Sequence, residues 1–208
     1  LVGTHQDRGD RSADQAVADV RAVLDAVSCP LIVKGPGAGA KQNAVLSRVA
    51  EAASGEGLVL HSACPEDYKT LAAVAVAYGH VLVAESPIDV NIAKQLAILL
   101  SEASVDLGRV LIDPFTGALG YGLEYTYSVM ERIRLAALAG EPMLSCPVVC
   151  LVGEEAWKSK EAKTPATKEP AWGPERERGI HWEIATALPL LLAGADCVLL
   201  EMHPAQVL

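Results

Sequence analysis

The chain has 208 residues and a formal net charge of −9, with 51% hydrophobic but only 4% aromatic residues. That length suits one large domain or two small ones, with a core of Ala, Val, Leu and Ile, the composition of buried parallel strands flanked by helices. The acidic balance argues against a nucleic-acid partner, which needs a basic face, and no Lys/Arg run reads as a membrane-surface or targeting patch.

Leu1–Thr4 reads as the end of a strand. Ser12 is a good N-cap, and residues 13–27 carry Val17, Val20, Val23, Leu24 and Val27 at helical spacing. Pro30–Lys34 is a short apolar strand closed by Gly35-Pro-Gly-Ala-Gly39. Residues 41–53 are helical and are stopped by Gly55 and Gly57. Leu58–His61 is the third strand, and a helix follows through Tyr78. His80–Ala84 is the fourth, followed by a helix over about 89–103. Arg109–Ile112 is the fifth.

The stretch Asp113-Pro-Phe-Thr-Gly-Ala-Leu-Gly-Tyr-Gly-Leu-Glu-Tyr125 comes next. It holds Gly117, Gly120 and Gly122, and in or just after it lie Phe115, Tyr121, Tyr125 and Tyr127, four of the chain's nine aromatics. It reads equally as a binding surface or as a glycine-rich turn that closes a strand–helix unit. Tyr125–Ala139 is a helix ended by Gly140, and Pro147–Val152 is the sixth strand. Gly153–Gly179 reads as long and irregular, with six Lys/Arg and six Glu, and as a lid, a partner surface or a mobile insertion. Residues 180–192 are helical with a kink expected at Pro189. Cys197–Leu200 is the seventh strand.

Strand and helix thus alternate with short links, the pattern of a parallel α/β fold. An open doubly wound sheet and a TIM (β/α)8 barrel both fit. The unit spacing leans to the barrel. The chain starts without Met on Leu1-Val2 and ends at Val207-Leu208 as a helical pattern begins. The expectation is therefore a single barrel domain over 1–208, truncated to about seven βα units, with an N-terminal unit and the last helix outside it. No stretch reads as a signal peptide or membrane span, since the apolar runs Leu71–Ala84 and Ile184–Ala195 are too short.

On a barrel, sites sit where strands end. Those positions are Thr4, His5 and Asp7; Lys34; His61 and Ser62; Glu85 and Ser86; Asp113 and Thr116; Gly153 and Glu154; Glu201 and His203. Gly35–Gly39 resembles a phosphate loop, but it is G-x-G-x-G, Pro36 removes an N–H donor, and no acidic residue ends the next strand. It is read as a turn. His5, His61 and His203 could share a mouth and bind a metal, without the spacing that would mark a metal motif. No nucleophile–base pair is legible. Cys29, Cys64, Cys146, Cys150 and Cys197 are odd in number and widely spaced. They cannot hold an iron–sulfur cluster within the chain, and all five are read as small buried hydrophobes in a reducing cytoplasm.

The block from Asp113 to Tyr125, continued by Ser128-Val-Met-Glu-Arg-Ile-Arg-Leu-Ala-Ala-Leu138, resembles the small subunit of the corrinoid iron–sulfur protein. In archaea this is the delta subunit of the acetyl-CoA decarbonylase/synthase complex. Asp67-Tyr-Lys69, Tyr78-Gly-His80, Glu155-Ala-Trp157, Pro170-Ala-Trp-Gly-Pro174, Arg178-Gly179, Trp182-Glu183, Thr186-Ala187 and Met202-His-Pro204 extend the likeness along the chain. The resemblance implies a TIM-barrel subunit paired with a large subunit that carries the iron–sulfur cluster and the corrinoid-binding domain.

The pair passes a methyl group between a methyl-tetrahydropterin or methyltetrahydrofolate and acetyl-CoA synthase. Partners implied are the large subunit, a pterin or folate methyltransferase and acetyl-CoA synthase, with no nucleic acid and no membrane, in the cytoplasm. The cofactor implied is a corrinoid (cobamide) shared with the partner, whose cobalt supplies the chemistry, with no iron–sulfur cluster in this chain. In this reading Asp113, Phe115, Thr116, Gly117, Leu119, Gly120, Tyr121 and Gly122 bind the cofactor, none is catalytic, and the subunit is accessory. The alternatives are a free-standing pterin-binding methyltransferase on a similar barrel and a purely structural scaffold.

Overall fold

The computed structural model describes residues 1–4, 9–37 and 39–201. Ser12 opens helix α1 (Ala13–Ala26) with a reciprocal capping box, in which its hydroxyl accepts from the Gln15 N–H and the Gln15 side chain returns to the Ser12 N–H. Strand β1 (Ile32–Lys34), α2 (Ala40–Ala52), β2 (Val59–Ala63), α3 (Tyr68–Tyr78), β3 (Val81–Glu85), α4 (Val90–Glu102) and β4 (Val110–Asp113) follow in strict alternation. Then come α5 (Leu123–Leu138), β5 (Val149–Cys150), α6 (Val152–Ala156), α7 (Lys160–Lys163), α8 (Glu175–Leu192) and β6 (Cys197–Val198). Among the described residues no helix is long and apolar enough to cross a membrane.

The chain divides into two compact units. The first comprises Leu1–Glu85 and Asn91–Ile112; the second comprises Ser86–Val90 and Asp113–Leu208. In the first unit the sheet order is β1-β2-β3-β4, with β1 and β3 each parallel to β2. Its strands are apolar and largely buried, and α3 packs on β2 and β3. Leu58, Leu60, Leu82 and Ile112 are fully buried together with Leu46, Leu71, Leu96 and Leu100 from the helices. Each such side chain contributes roughly 1.5–3 kcal/mol relative to exposure.

His80, at the foot of β3, belongs to this core. Its Nδ1 accepts from the Leu58 N–H at 3.2 Å, so Nε2 carries the proton and donates to Ala50 O at 2.9 Å. Both ring nitrogens are used in joining α2, β2 and β3.

In the second unit β5 and β6 pair in parallel, Val149 opposite Cys197 and Cys150 opposite Val198. Helices α5, α6 and α7 pack on α8. Met130, Ile133, Leu144, Val148, Val149 and Leu190 fill the interior.

Three expectations need correction. Leu1–Thr4 is not a strand: Val2–Thr4 is a 3-10 turn, closed by the Thr4 N–H and hydroxyl, both donating to Leu1 O. Gly153–Gly179 is not irregular, since α6, α7, a 3-10 turn at Pro170–Trp172 and the first turn of α8 occupy most of it. Side-chain bonds to backbone replace long elements there. Ser159 caps α7, and the Arg178 guanidinium donates to the carbonyls of Glu161, Thr164, Trp172 and Gly173. A ring edge fixes the rest: Trp157 lies where a side chain at Gly179 would project.

The helix expected over residues 180–192 is present as part of α8, which carries Pro189 inside it; helical bonding resumes beyond the proline, with the Ala193 N–H donating to Pro189 O at 2.8 Å, and the proline's missing N–H removes one ladder bond. Lastly, the five cysteines are not all buried. Cys64, Cys146 and Cys150 are, Cys197 is half-buried and Cys29 is exposed, because it sits in the link between α1 and β1.

Candidate functional site

The stretch between β4 and α5 lies entirely in the second unit, apart from the strand residues that lead into it. Asp113, only 1% exposed, closes β4. Its carbonyl accepts from the Ser86 N–H at 2.8 Å and from the Ser86 hydroxyl at 3.4 Å, and the Ile88 N–H donates to Pro114 O at 3.0 Å. Its Oδ1 accepts from the Phe115 N–H at 2.8 Å, a carboxylate bonding the backbone two residues on.

That bond helps to hold Phe115 at φ 68°, a left-handed conformation that a bulky non-glycine residue rarely takes. Such strain is of order 1–3 kcal/mol and persists only where surroundings impose it. Its result is that the Phe115 ring stands in solvent, 44% exposed.

Three buried threonines hold the rest. The Thr126 hydroxyl accepts from the Gly117 N–H at 2.8 Å and donates to Phe115 O at 2.9 Å. The Thr116 hydroxyl accepts from the Leu151 N–H at 2.9 Å, just past β5. The Thr186 hydroxyl, from α8, accepts from the Leu119 N–H at 3.2 Å. Gly117 is required by close approach: a Cβ there would sit 2.5 Å from Gly122 O and 2.8 Å from Leu123 N, backbone that cannot yield.

The tip is a tight turn in which Tyr121 N–H donates to Ala118 O at 2.8 Å, with Gly120 at φ 77° and Gly122 at φ 95° leading into α5. Tyr121 is 51% exposed, and its hydroxyl donates to the Glu161 carboxylate at 2.8 Å. The same oxygen accepts from the Lys160 N–H at 3.3 Å, so Tyr121 is tied to the start of α7. With Tyr125 also exposed, three rings of this stretch face water.

The eight residues expected to bind the cofactor therefore divide by environment. Asp113, Thr116 and Gly117 are buried and tie the loop together. Phe115, Gly120 and Tyr121 are exposed, and Leu119 and Gly122 are half-buried. The sequence did not mark Thr126, Thr186, Trp182 or Glu161 as parts of this loop, although all four hold it. A threonine on the buried face of a helix, where apolar residues prevail, was the available signal.

Of the other strand-end residues, His5, Asp7 and His203 lie outside the described residues, so the three-histidine arrangement is described only at His61, which is buried. Ser62, at the end of β2, donates its hydroxyl to the Glu85 carboxylate at the end of β3. Thr4 is spent on Leu1 O, Glu154 pairs with Lys158 at 2.9 Å, and the Gly153 N–H donates to Leu199 O at 2.8 Å.

The described residues of this stretch, 35–37 and 39, form a bend rather than a regular element, as expected of Gly35–Gly39. Three of its N–H groups are taken by the protein, Gly35 by His61 O at 3.0 Å, Gly37 by the Gln42 amide oxygen at 3.2 Å and Gly39 by the Asp67 carboxylate at 3.0 Å, where a phosphate loop would leave them for its anion.

Around Glu201 the carboxylates crowd. Burial, then Glu183 and Glu154, push the Glu201 carboxyl above the usual range, while Glu183, fully buried, accepts from the Glu201 N–H and from Trp157 Nε1 at 3.3 Å. Burial pushes the Cys64 and Cys150 thiols up to about 12, with Glu85 the next cause at Cys64 and Asp113 at Cys150. Neither thiol is a nucleophile at neutral pH.

The architecture is matched by solved dihydropteroate synthases, which are TIM barrels. A Yersinia pestis enzyme with a pterine-sulfa conjugate superposes with TM-score 0.62 at 16% identity, over 99% of this chain and 77% of its own. One from Xanthomonas albilineans with 4-aminobenzoic acid gives 0.52 at 16% identity, over 94% and 82%. At that identity the likeness shows the fold alone: the chain has the TIM-barrel fold, the one of the two alternatives that its unit spacing favoured.

Curated relatives are nearer. Acetyl-CoA decarbonylase/synthase complex subunit delta of Archaeoglobus fulgidus is 39% identical over all of this chain and 46% of its own length. Delta 1 of Methanosarcina thermophila is 39% identical over 100% and 48%, and the Methanothermobacter thermautotrophicus subunit is 38% identical over 100% and 52%. The chain thus spans about half the length of the curated relatives it matches. With the family profile covering residues 2–202, the chain belongs to the CO dehydrogenase/acetyl-CoA synthase delta subunit family.

Proposed function

We propose that this chain is the corrinoid-capping barrel of a methyl-carrier protein, passing a methyl group between a methyl-tetrahydropterin or methyltetrahydrofolate and acetyl-CoA synthase. The observation that carries the reading is the loop between β4 and α5. It is rigidly tied from below and presents aromatic rings and uncovered glycine backbone at its tip.

A corrinoid is a broad, flat ring with an apolar face and a rim of amide side chains. The loop's chemistry fits both. Phe115, Tyr121 and Leu119 offer apolar and ring contact. At Gly120 an added Cβ would meet nothing within 4 Å, so the backbone there is open to approach by the amide rim. Asp113, Thr116 and Gly117 act beneath this surface by fixing its shape.

The cobalt of the bound corrinoid supplies the methyl-transfer chemistry; this chain binds, orients and excludes water. That division agrees with the loop, which offers rings and backbone but no paired nucleophile and base among its described residues. The partners in this reading are a large subunit carrying the iron–sulfur cluster and corrinoid, a pterin or folate methyltransferase, and acetyl-CoA synthase. The setting is the cytoplasm.

The test is to express the large subunit with and without the full-length parent of this chain, and to compare the visible spectrum and corrinoid retention on gel filtration. Retention should fall without the parent, and also with Tyr121→Ala in its place. Unchanged retention in both refutes the capping role. Tight binding of methyltetrahydrofolate by the parent alone identifies it instead as a free-standing pterin-binding methyltransferase.

A further inference from the structure

Leu119 is held in an unusual way for a residue at a loop tip. Its N–H donates to Thr186 Oγ1 at 3.2 Å, and its carbonyl accepts from Trp182 Nε1 at 3.1 Å. Both partners are side chains on α8, one helical turn apart and over 60 residues further along the chain. We infer that Thr186 and Trp182 are positioning residues, a two-point clamp on the Leu119 backbone that fixes how the loop presents Phe115 and Tyr121. The inference rests on the reading that this loop faces a corrinoid.

The geometry favours a clamp over an incidental contact on three grounds. First, each partner's orientation is itself determined. Thr186 is fully buried, and its hydroxyl proton goes to Trp182 O at 2.8 Å, the i−4 carbonyl of its own helix. That leaves an oxygen lone pair to accept the Leu119 N–H. Trp182 has one donor, and it is spent on Leu119. The two side chains thus satisfy both backbone groups of one residue, and the Thr186 hydroxyl is bonded in addition to the Trp182 carbonyl.

Second, the clamp does not serve to bury anything. Leu119 is half-buried, Gly120 exposed and Tyr121 half in water. A loop that needed only stability would turn Leu119 and Tyr121 inward. Here directional bonds hold a residue that is only half-buried beside an exposed Tyr121.

Third, the other side of the tip is strapped in the same fashion. Tyr121 is bonded to Glu161 and to the Lys160 N–H on α7. Helix α7 is in turn gripped by Arg178, which donates to the carbonyls of Glu161 and Thr164. Arg178 lies 5.6 Å and Lys160 5.9 Å from the Trp172 ring centre, stacking that holds both cations in place. The tip is therefore fastened to α8 at Leu119 and to α7 at Tyr121, with Gly120 between them at φ 77°.

The test uses the full-length parent with its large subunit loaded with hydroxocobalamin. Thr186→Val keeps shape and loses both hydroxyl bonds, Trp182→Phe keeps an aromatic ring and loses the N–H, and Thr186→Ser keeps the hydroxyl. Hydrogen exchange of the peptide spanning 117–122 should quicken about ten-fold in the first two variants, as expected for the loss of a part-buried hydrogen bond that holds the loop closed. It should stay normal in Thr186→Ser. Corrinoid retention should fall about five- to ten-fold in the same two variants, with a shifted visible spectrum, and recover in Thr186→Ser.

Normal exchange in both Thr186→Val and Trp182→Phe overturns the clamp. Faster exchange with normal retention, while Tyr121→Ala does loosen the corrinoid, overturns its positioning role and leaves the capping reading standing. Normal retention in all variants, Tyr121→Ala included, overturns the capping reading itself and the inference with it. Should Thr186→Val fail to fold, Trp182→Phe against Thr186→Ser decides the matter.

Discussion

Thr126→Val is the most discriminating single change to the loop. Valine is close to threonine in shape, so packing around this fully buried position is retained and only the hydroxyl is lost. Two bonds go with it. The Gly117 N–H, donating at 2.8 Å, is left buried without its acceptor, and Phe115 O loses its donor at 2.9 Å. A buried donor left unsatisfied costs about 1–3 kcal/mol, and a hydrogen bond whose acceptor can turn to water about 0.5–1.5. Phe115 is exposed, so its carbonyl falls in the second class. The sum is about 1.5–4.5 kcal/mol.

All three tryptophans, Trp157, Trp172 and Trp182, lie in the second unit, so their fluorescence reports the part of the chain that holds Thr126. In urea, with a slope of roughly 2 kcal/mol/M, the midpoint should fall by about 0.8–2.3 M. Thr126→Ser should restore most of it. A Thr126→Val midpoint within about 0.3 M of the parent would show that the hydroxyl does not hold the loop, and the account of the site given above would fail with it.

Other outcomes follow from the same contacts. Gly117→Ala places a methyl against Gly122 O and Leu123 N, so it should destabilise by about 1–3 kcal/mol and quicken exchange at the start of α5; a neutral result would mean the loop is looser than described. Gly179→Ala drives a methyl into the Trp157 ring, with Cζ2 at 2.8 Å, and should alter the near-ultraviolet circular dichroism as well as lower stability by a similar amount. With iodoacetamide at pH 8, Cys29 should be alkylated first, whereas Cys64 and Cys150 should react only after unfolding. The sign of the pH effect follows too. Both thiols ionise near 9 when unfolded but only at about 12 when folded, so the folded state binds more protons between those values and stability falls as pH climbs through that window. A midpoint that rose from pH 9 to 10.5 would contradict this.

The fold was legible because its signals are local and periodic. Apolar runs such as Val81–Ala84 and the helical spacing of Val129, Met130 and Ile133 put β3 and α5 within two or three residues of where they lie. What failed was local reading of segments held by distant groups. Gly153–Gly179 looked irregular because α6 has five residues and α7 four, too short for a periodic pattern. What orders them is Arg178, whose guanidinium reaches back 14 to 17 residues to Thr164 and Glu161. Composition shows that arginine only as one charge among many.

The loop shows the same limit in sharper form. Its glycines and rings announced it, and the need for left-handed backbone at Gly120 and Gly122 is visible in the sequence as glycine itself. Phe115 is the opposite case. It takes the same left-handed region with nothing in its own identity to say so, because the cause is Asp113 two residues before and Thr126 eleven after. Asp113 looked from the sequence like a group for a ligand, yet its Oδ1 already accepts from the backbone, and Thr116 is engaged with Leu151. The residues with polar chemistry therefore build the surface, and those with little chemistry of their own form it. On the proposed reading, such a surface would hold a corrinoid by shape and stacking. Its failure under mutation should begin with the buried threonines before it reaches the exposed rings.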